Sequence, residues 1–222
     1  MAGVNLNFAP VMDVVPSGAD ATNEPIGALQ REYGHDPTTV GSHGAAVIRG
    51  MQQAGIATTL KHFPGLGRVV GNTDTAVGVV DSTTTADDPY LAAFRTGIQA
   101  GVPFVMVSLA TYSAIDPEHL AVFSSTIMRT LLRNQLGFDG VVMSGDLGAA
   151  ASVSSLTPGA RATAFIVAGG DLMIVAGVDS ASKMAVAVLD RARSDPTFAA
   201  QVDDAAGRVL RAKQAYGLVS CS

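Results

Sequence analysis

Short apolar runs alternate along the chain with longer stretches in which apolar residues recur at helical spacing. Each short run is apolar on both faces and bounded by Gly, Pro or Asp, which is typical of strands buried in a parallel sheet. The pattern predicts strands at Asn5–Val14, Ala57–Phe63, Pro103–Leu109, Gly140–Ser144 and Asp171–Ala176. It predicts helices at Asp36–Ala54, Asp88–Ala100, Ser124–Leu136, Thr157–Ala168, Ser180–Arg193 and Ala200–Tyr216.

This alternation predicts an α/β fold with a parallel sheet and right-handed crossovers. No linker or low-complexity stretch divides the 222 residues, so a single domain over residues 1–222 is expected. A (β/α)8 barrel and a doubly wound sheet both remain open, and both place polar chemistry at the carboxyl ends of strands. The absence of GxGxxG after the first strand argues against dinucleotide binding.

Composition narrows the functional class. A hydrophobic fraction of 48% with 15% charged residues fits a buried core and excludes a disordered chain. The net charge of -5 without a basic stripe argues against nucleic-acid binding. The longest apolar runs, such as Gly101–Ala110, are shorter than the roughly 20 residues needed to span a bilayer, so no membrane span is expected.

Cysteine usage and the first residues say little about compartment. Cys221 is the single cysteine, so neither an internal disulfide nor a cysteine zinc site is possible, and the four histidines lack metal spacing. The first residues, MAGVNLNFAPVMDVV, lack the basic and apolar regions of a signal peptide. Localisation stays open: cytoplasmic, or cell envelope or secreted if a lipoprotein signal lies upstream.

Candidate chemistry clusters after the second and fourth predicted strands. Asp146 follows the apolar run VVM and stands between Gly145 and Gly148, where a carboxylate can face a pocket; a helix N-cap is the alternative. Lys61 and His62 end the second strand and can hydrogen-bond a polar ligand. The alternative is a buried histidine satisfied by backbone beside a lysine that extends to solvent.

Two further candidates lie in loops. Residues 65–75 (GLGRVVGNTDT) form a glycine-rich segment with one carboxylate, Asp74, and such loops above a barrel mouth are often mobile lids. Arg31, after the first strand, can grip ligand oxygens, although a surface salt bridge with Glu24 or Glu32 is a common outcome.

Four segments together resemble the N-terminal barrel domain of family 3 glycoside hydrolases. They are NFAPVMDV, the run from Arg31 to Pro37 (REYGHDP), KHFPGLG and VVMSGDL, and they occur in the family's order. The similarity is greatest to the single-domain β-N-acetylglucosaminidases, and GLGRV and MVSLATY resemble the actinobacterial lipoprotein branch.

The resemblance implies a TIM-type (β/α)8 barrel that removes terminal β-linked N-acetylglucosamine, with retention, from cell-wall muropeptides during peptidoglycan recycling. It implies that Asp146 is the nucleophile that forms a covalent glycosyl-enzyme and that Arg31, Lys61 and His62 bind the sugar. No metal or organic cofactor is required by this mechanism. Two alternatives are a catalytically inactive carbohydrate-binding remnant and a β-glucosidase or β-xylosidase.

Two departures from the family pattern affect these expectations. The family's Asp-Ser-His falls on Asn72, Thr73 and Asp74, so we expect Asp74 to replace the histidine as general acid/base. The family's DQEGG-like segment, upstream of NFAPV, has no counterpart, and a barrel needs roughly 250 residues. An incomplete barrel is therefore expected, with an exposed N-terminal edge at Asn5–Val14 that can pair with a second copy.

Overall fold

The computed structural model describes residues 3–220, which form eight strands, five α-helices and one π-helix, besides short 3-10 turns. The strands are β1 (Leu6–Asn7), β2 (Ala57–Phe63), β3 (Val80–Asp81), β4 (Phe104–Val107), β5 (Thr111–Tyr112), β6 (Asp116–Leu120), β7 (Val141–Asp146) and β8 (Leu172–Ile174). The helices are α1 (Pro37–Gln53), α2 (Leu91–Gln99), the π-helix Thr126–Gln135, α3 (Pro158–Ala168), α4 (Val178–Ser194) and α5 (Pro196–Ala215).

Strand order distinguishes between the two architectures that the sequence leaves open. The main sheet runs β1-β2-β4-β7-β8, and every neighbouring pair is parallel. The order follows the chain without reversal, whereas a doubly wound sheet reverses at a switch point. The sheet is therefore a curled, singly wound half of a (β/α) barrel, which confirms the barrel prediction in its incomplete form.

The first strand is shorter and less regular than predicted. Only Leu6–Asn7 pairs as a ladder, because Pro10 interrupts the run and has no N–H to donate. The chain nevertheless continues along β2. The N–H of Met12 donates to the Lys61 carbonyl at 2.6 Å, and Val11 forms an isolated bridge with Lys61.

Two hydrophobic clusters lie on opposite faces of the sheet. The larger packs the sheet against the surrounding helices through fully buried residues that include Leu60, Val105 and Val142. The smaller consists of Ala57, Phe104, Met106, Val141 and Met143, and α5 covers it with Val209, Ala212 and Tyr216. Because successive strand residues point to opposite faces, Val105 and Met106 belong to different clusters.

Helix α5 spans the gap between the two edge strands. Leu6 of β1 and Leu172 of β8 line one apolar groove together with Val209, Ala212 and Tyr216. Pairing of the β1 edge with a second copy stays a prediction.

An ionic contact fixes α5 to the sheet. Asp171, whose side chain is 1% exposed, accepts hydrogen bonds from Arg208 of α5 at 3.1 Å and from Arg133 at 2.7 Å. The half-barrel therefore buries much of its inner apolar face within this chain.

A second sheet, β3-β5-β6, was not predicted. Its strands are short and include the polar segment DPEHL, so they lack the apolar run that identifies a buried strand.

Candidate active site

The carboxyl end of β2 is organised by a buried carboxylate that the sequence analysis did not single out. Asp13 has no exposed surface, and it accepts hydrogen bonds from His62 Nδ1 at 2.8 Å and from the Leu66 N–H at 2.6 Å. The backbone N–H of His62 donates to the same carboxylate at 3.2 Å. Since an ionised carboxylate only accepts, Nδ1 carries the proton and Nε2 of His62 is left for a ligand. The signal in the sequence was the charge within the apolar run APVMDVV.

Lys61 is a half-buried cation without a carboxylate bonded to it in residues 3–220. Burial lowers the pKa of its ammonium, the nearby Arg31 cation lowers that pKa further, and Asp13 partly opposes both. A desolvated, unpaired ammonium has unused donors, so Lys61 is suited to bind ligand oxygens.

Arg31 does not form a salt bridge with Glu24 or Glu32, the alternative to ligand binding that its sequence position suggested. Its Nη1 donates to the Pro25 carbonyl at 2.7 Å, and Glu24 accepts instead from the backbone N–H of Asn72 at 3.1 Å. One bond uses only part of the donor capacity of a guanidinium. The remaining donors are available to a ligand.

Asp146 ends β7, and the backbone holds its carboxylate at both oxygens. Oδ1 accepts from the N–H groups of Gly148 at 2.7 Å and Ala176 at 2.8 Å, whereas within residues 3–220 Oδ2 accepts only from Ala149 at 3.2 Å. The turn-capping pattern and the pocket-facing position therefore occur together.

The glycine-rich loop is tied to its neighbours by backbone bonds. The Asp74 carbonyl accepts from the Ala151 N–H at 3.0 Å, and the Thr73 carbonyl accepts from the Ser152 N–H at 3.2 Å. These bonds join the loop that carries Asp74 to the segment that follows Asp146. They favour a loop held in place over a mobile lid.

Asn23 is a second residue that the sequence analysis missed. Its side chain is buried; Nδ2 donates to the carbonyls of Leu66 and Val69, both at 2.7 Å, and Oδ1 accepts from Ile26 and Gly27. It thereby fixes the loop to the segment that leads to Arg31. An asparagine in a loop usually marks a turn, so its sequence context gave no signal of this role.

All five predicted site residues line one cavity of about 250 Å³ at the carboxyl end of the sheet. Arg31, Lys61, His62, Asp74 and Asp146 supply its charged and polar groups. Its apolar wall is formed by Phe8, Leu66, Met106, Leu109 and Ile174. A pocket with a few convergent polar groups on an apolar wall is typical of a small-molecule site.

The described residues contain neither a membrane-spanning helix nor a cluster of potential metal ligands. No helix between residues 3 and 220 is long and apolar enough to cross a membrane. In the same part of the chain, no three His, Cys, Asp or Glu side chains lie close enough together to hold a metal ion.

Comparison with known proteins gives consistent results. Curated relatives include a β-hexosaminidase of Stenotrophomonas maltophilia (strain K279a), 40% identical over 178 residues, which are 78% of this chain and 50% of that protein. The chain thus spans about half the length of the curated relatives that it matches.

Solved structures agree with this comparison. A β-N-acetylhexosaminidase from Beutenbergia cavernae DSM 12333 superposes with a TM-score of 0.94 at 55% identity, covering 96% of this chain and 63% of that one. A family 3 β-N-acetylglucosaminidase from Paenibacillus sp. str. FPU-7 superposes with a TM-score of 0.85 at 31% identity, covering 99% of this chain and 42% of that one. Residues 1–212 match the glycosyl hydrolase family 3 N terminal domain. The chain belongs to this glycosyl hydrolase family.

Proposed function

We propose that the chain carries the catalytic half-barrel of a retaining glycosidase that removes terminal β-linked N-acetylglucosamine from cell-wall fragments. The observation that carries the proposal is that Asp146 and Asp74 line the same cavity as Arg31, Lys61 and His62. Paired carboxylates beside hydroxyl-binding donors are the groups that glycoside hydrolysis requires. Relatives named β-hexosaminidase and β-N-acetylhexosaminidase support N-acetylglucosamine as the sugar.

Asp146 is the proposed nucleophile, and Oδ2 is its proposed attacking atom. Two bonds below 3 Å hold Oδ1, whereas one bond of 3.2 Å leaves Oδ2 less engaged. Oδ2 attacks the anomeric carbon as the bond to the leaving oxygen breaks, which forms a glycosyl ester with Asp146. Water then attacks the same carbon, releases the carboxylate and restores the β configuration.

Asp74 is the proposed general acid/base. It gives a proton to the leaving oxygen in the first step and takes a proton from the attacking water in the second. Its side chain is exposed, with no hydrogen bond to another described side chain. In the proposal, the bound sugar covers Asp74 and excludes water from the proton transfer.

The remaining polar groups hold the sugar. Lys61 and Arg31 donate to its hydroxyl or acetyl oxygens, and His62 presents Nε2 because Asp13 occupies Nδ1. Fixed donors of this kind orient the anomeric carbon towards the nucleophile.

Carbohydrate binding without turnover is the second candidate. It is favoured by the exposure of Asp74, because no neighbouring group among the described residues orients this carboxylate. A β-glucosidase or β-xylosidase of the same family remains the alternative within catalysis.

The deciding experiment compares hydrolysis and binding in the same preparation. Release of 4-nitrophenol from the β-N-acetylglucosaminide is measured beside calorimetric binding of N-acetylglucosamine. Asp146→Asn should lower kcat by about 10⁴-fold or more while sugar binding is retained. Asp190→Asn is the matched control, because the Asp190 side chain is 66% exposed and its one ion pair among the described residues is with Arg193 at 3.7 Å.

Each outcome has a distinct meaning. Binding without turnover by the wild-type chain would support the second candidate, and faster release from the β-glucoside or β-xyloside would change the sugar. For Asp74→Asn, hydrolysis should fall far more with an unactivated disaccharide than with a 2,4-dinitrophenyl leaving group, which needs no protonation. Equal losses on both substrates would remove Asp74 from the acid/base role.

A further inference from the structure

Arg161 of α3 is a buried cation whose hydrogen bonds go to carbonyl groups. It is 8% exposed, and Nη1 donates to the carbonyls of Leu147 at 2.8 Å and Gly148 at 3.1 Å. Nε donates to the Leu156 carbonyl at 2.9 Å. No carboxylate in residues 3–220 forms an ion pair with it. A charge buried in this way is costly unless it is well bonded, so its partners are informative.

The two carbonyls bonded by Nη1 belong to peptide groups whose N–H ends donate to the Asp146 carboxylate. The carbonyl of Leu147 and the N–H of Gly148 belong to one peptide group, and that N–H donates to Asp146 Oδ1 at 2.7 Å. The carbonyl of Gly148 and the N–H of Ala149 belong to the next, and that N–H donates to Oδ2 at 3.2 Å. Two continuous chains therefore run from one guanidinium through a peptide group to each carboxylate oxygen.

We propose that Arg161 is a positioning residue for Asp146, acting through these two peptide groups. The proposal rests on the proposed function of Asp146 as nucleophile. The guanidinium fixes the orientation of both peptide planes, so both N–H groups stay aimed at the carboxylate. It also polarises each peptide bond, because hydrogen bonds in a chain strengthen one another inside a protein.

The local packing leaves little freedom for a different arrangement. A Cβ at Gly148 would lie 2.6 Å from the Ala176 carbonyl oxygen, so only glycine lets the turn approach that segment. The Ala176 N–H is the third donor to Asp146, at 2.8 Å. The turn after Asp146 is therefore held on one side by its contact with the Ala176 segment and on the other by the hydrogen bonds from Arg161.

The test compares Arg161→Met with Arg133→Met. Arg133 is a matched control because it is also largely buried and donates to the Gly140 carbonyl at 3.1 Å and to Asp171, while none of its peptide partners contacts Asp146. Arg161→Lys tests rescue, since it keeps the charge but loses the planar fork. The readouts are kcat, KM, N-acetylglucosamine binding and the melting temperature.

Arg161→Met should lower kcat about 10²-fold, the scale expected when a reacting group is misplaced by about 1 Å. The loss should be equal for good and poor leaving groups, because the nucleophile and not the proton donor is affected. KM and sugar binding should change less than about twofold, and Arg161→Lys should recover part of kcat. Arg133→Met should lower the melting temperature with kcat nearly unchanged.

Three outcomes would count against the proposal. Similar kcat in Arg161→Met and Arg133→Met, or a loss confined to KM, would show that Arg161 only supports folding. If Arg161→Met does not fold, full activity of Arg161→Lys and Arg161→Gln would overturn the proposal equally. Absence of turnover in the wild-type chain would instead refute the proposed function, and with it this inference.

Discussion

Asp13→Ala tests the contact network at the end of β2 most sharply. The substitution removes the acceptor for three donors, namely Nδ1 and the backbone N–H of His62 and the N–H of Leu66. Asp13 is fully buried, so water cannot replace the lost bonds in the folded state. Each unsatisfied buried donor costs about 1–3 kcal/mol, and breaking a buried charged pair costs about 3–5 kcal/mol. For three donors the first figure gives about 3–9 kcal/mol, and it overlaps the second at about 3–5 kcal/mol, which is the loss expected in the free energy of unfolding.

Urea denaturation measures this loss, provided that the slope of unfolding free energy against urea concentration is unchanged in the variant. The melting temperature should fall in parallel by roughly 6–20 °C for a chain of this size. Asp13→Asn should be intermediate, because one side-chain oxygen remains as an acceptor. Asp190→Ala serves as the exposed control and should change stability by less than about 0.5 kcal/mol. A loss below about 1 kcal/mol for Asp13→Ala would refute the reasoning that this carboxylate organises the loop.

Three further predictions concern the same end of the sheet. Lys61→Met should raise the free energy of unfolding at pH 7 by about 0.5–2 kcal/mol while weakening sugar binding, because it removes a desolvated cation. Folding lowers the pKa of Lys61, so wild-type stability should rise as the pH increases from that lowered pKa to the ordinary value of about 10.4, and the Met variant should lose this rise. Gly67→Ala should destabilise the chain by about 1–3 kcal/mol, because its Cβ would lie 1.9 Å from the Val14 carbonyl oxygen. Asn23→Ala should cost more than about 2 kcal/mol, since four buried bonds lose their partner.

Chemical denaturation checks all three, and each has a control or a contradicting result. A Lys61→Met variant that is less stable than wild type would show that the ammonium has a partner in the folded state. Gly71→Ala is the control for Gly67→Ala, because its Cβ would meet side chains at an ordinary 3.4 Å or more. Thr22→Ala is the control for Asn23→Ala, because Thr22 is adjacent and exposed. Equal losses of unfolding free energy in the two variants would contradict the inference that Asn23 holds the loop in place.

Much of the site could be predicted because of how parallel sheets are built. Lys61, His62 and Asp146 follow buried apolar strands, and the carboxyl ends of parallel strands meet at one edge of the sheet. Most strands of the main sheet were predictable as well, since buried strands require continuous apolar runs, whereas the short strands of the second sheet lack such runs. Placement of Arg31 and Asp74 beside these residues depended on the family resemblance.

What escaped prediction depends on contacts between distant residues. Asp13 bonds to a loop 53 positions later, and Asn23 bonds to the same loop across 46 positions. Arg161 looks like an ordinary helical arginine until the turn after Asp146 is placed against it. The packing of α5 against the inner face of the sheet could not be predicted either. The apolar residues of α5 show that one side of the helix is buried, but they do not show which face of the sheet it packs against.

Covalent trapping tests the central claim, that Asp146 forms a glycosyl ester, most directly. The chain is incubated with 5-fluoro-N-acetylglucosaminyl fluoride, a reagent whose glycosyl-enzyme is hydrolysed slowly. It is then digested and analysed by mass spectrometry. We expect one sugar adduct on the peptide that contains Asp146 and none in Asp146→Asn. An adduct on Asp74, or turnover by an Asp146→Asn enzyme at the wild-type rate, would contradict the account.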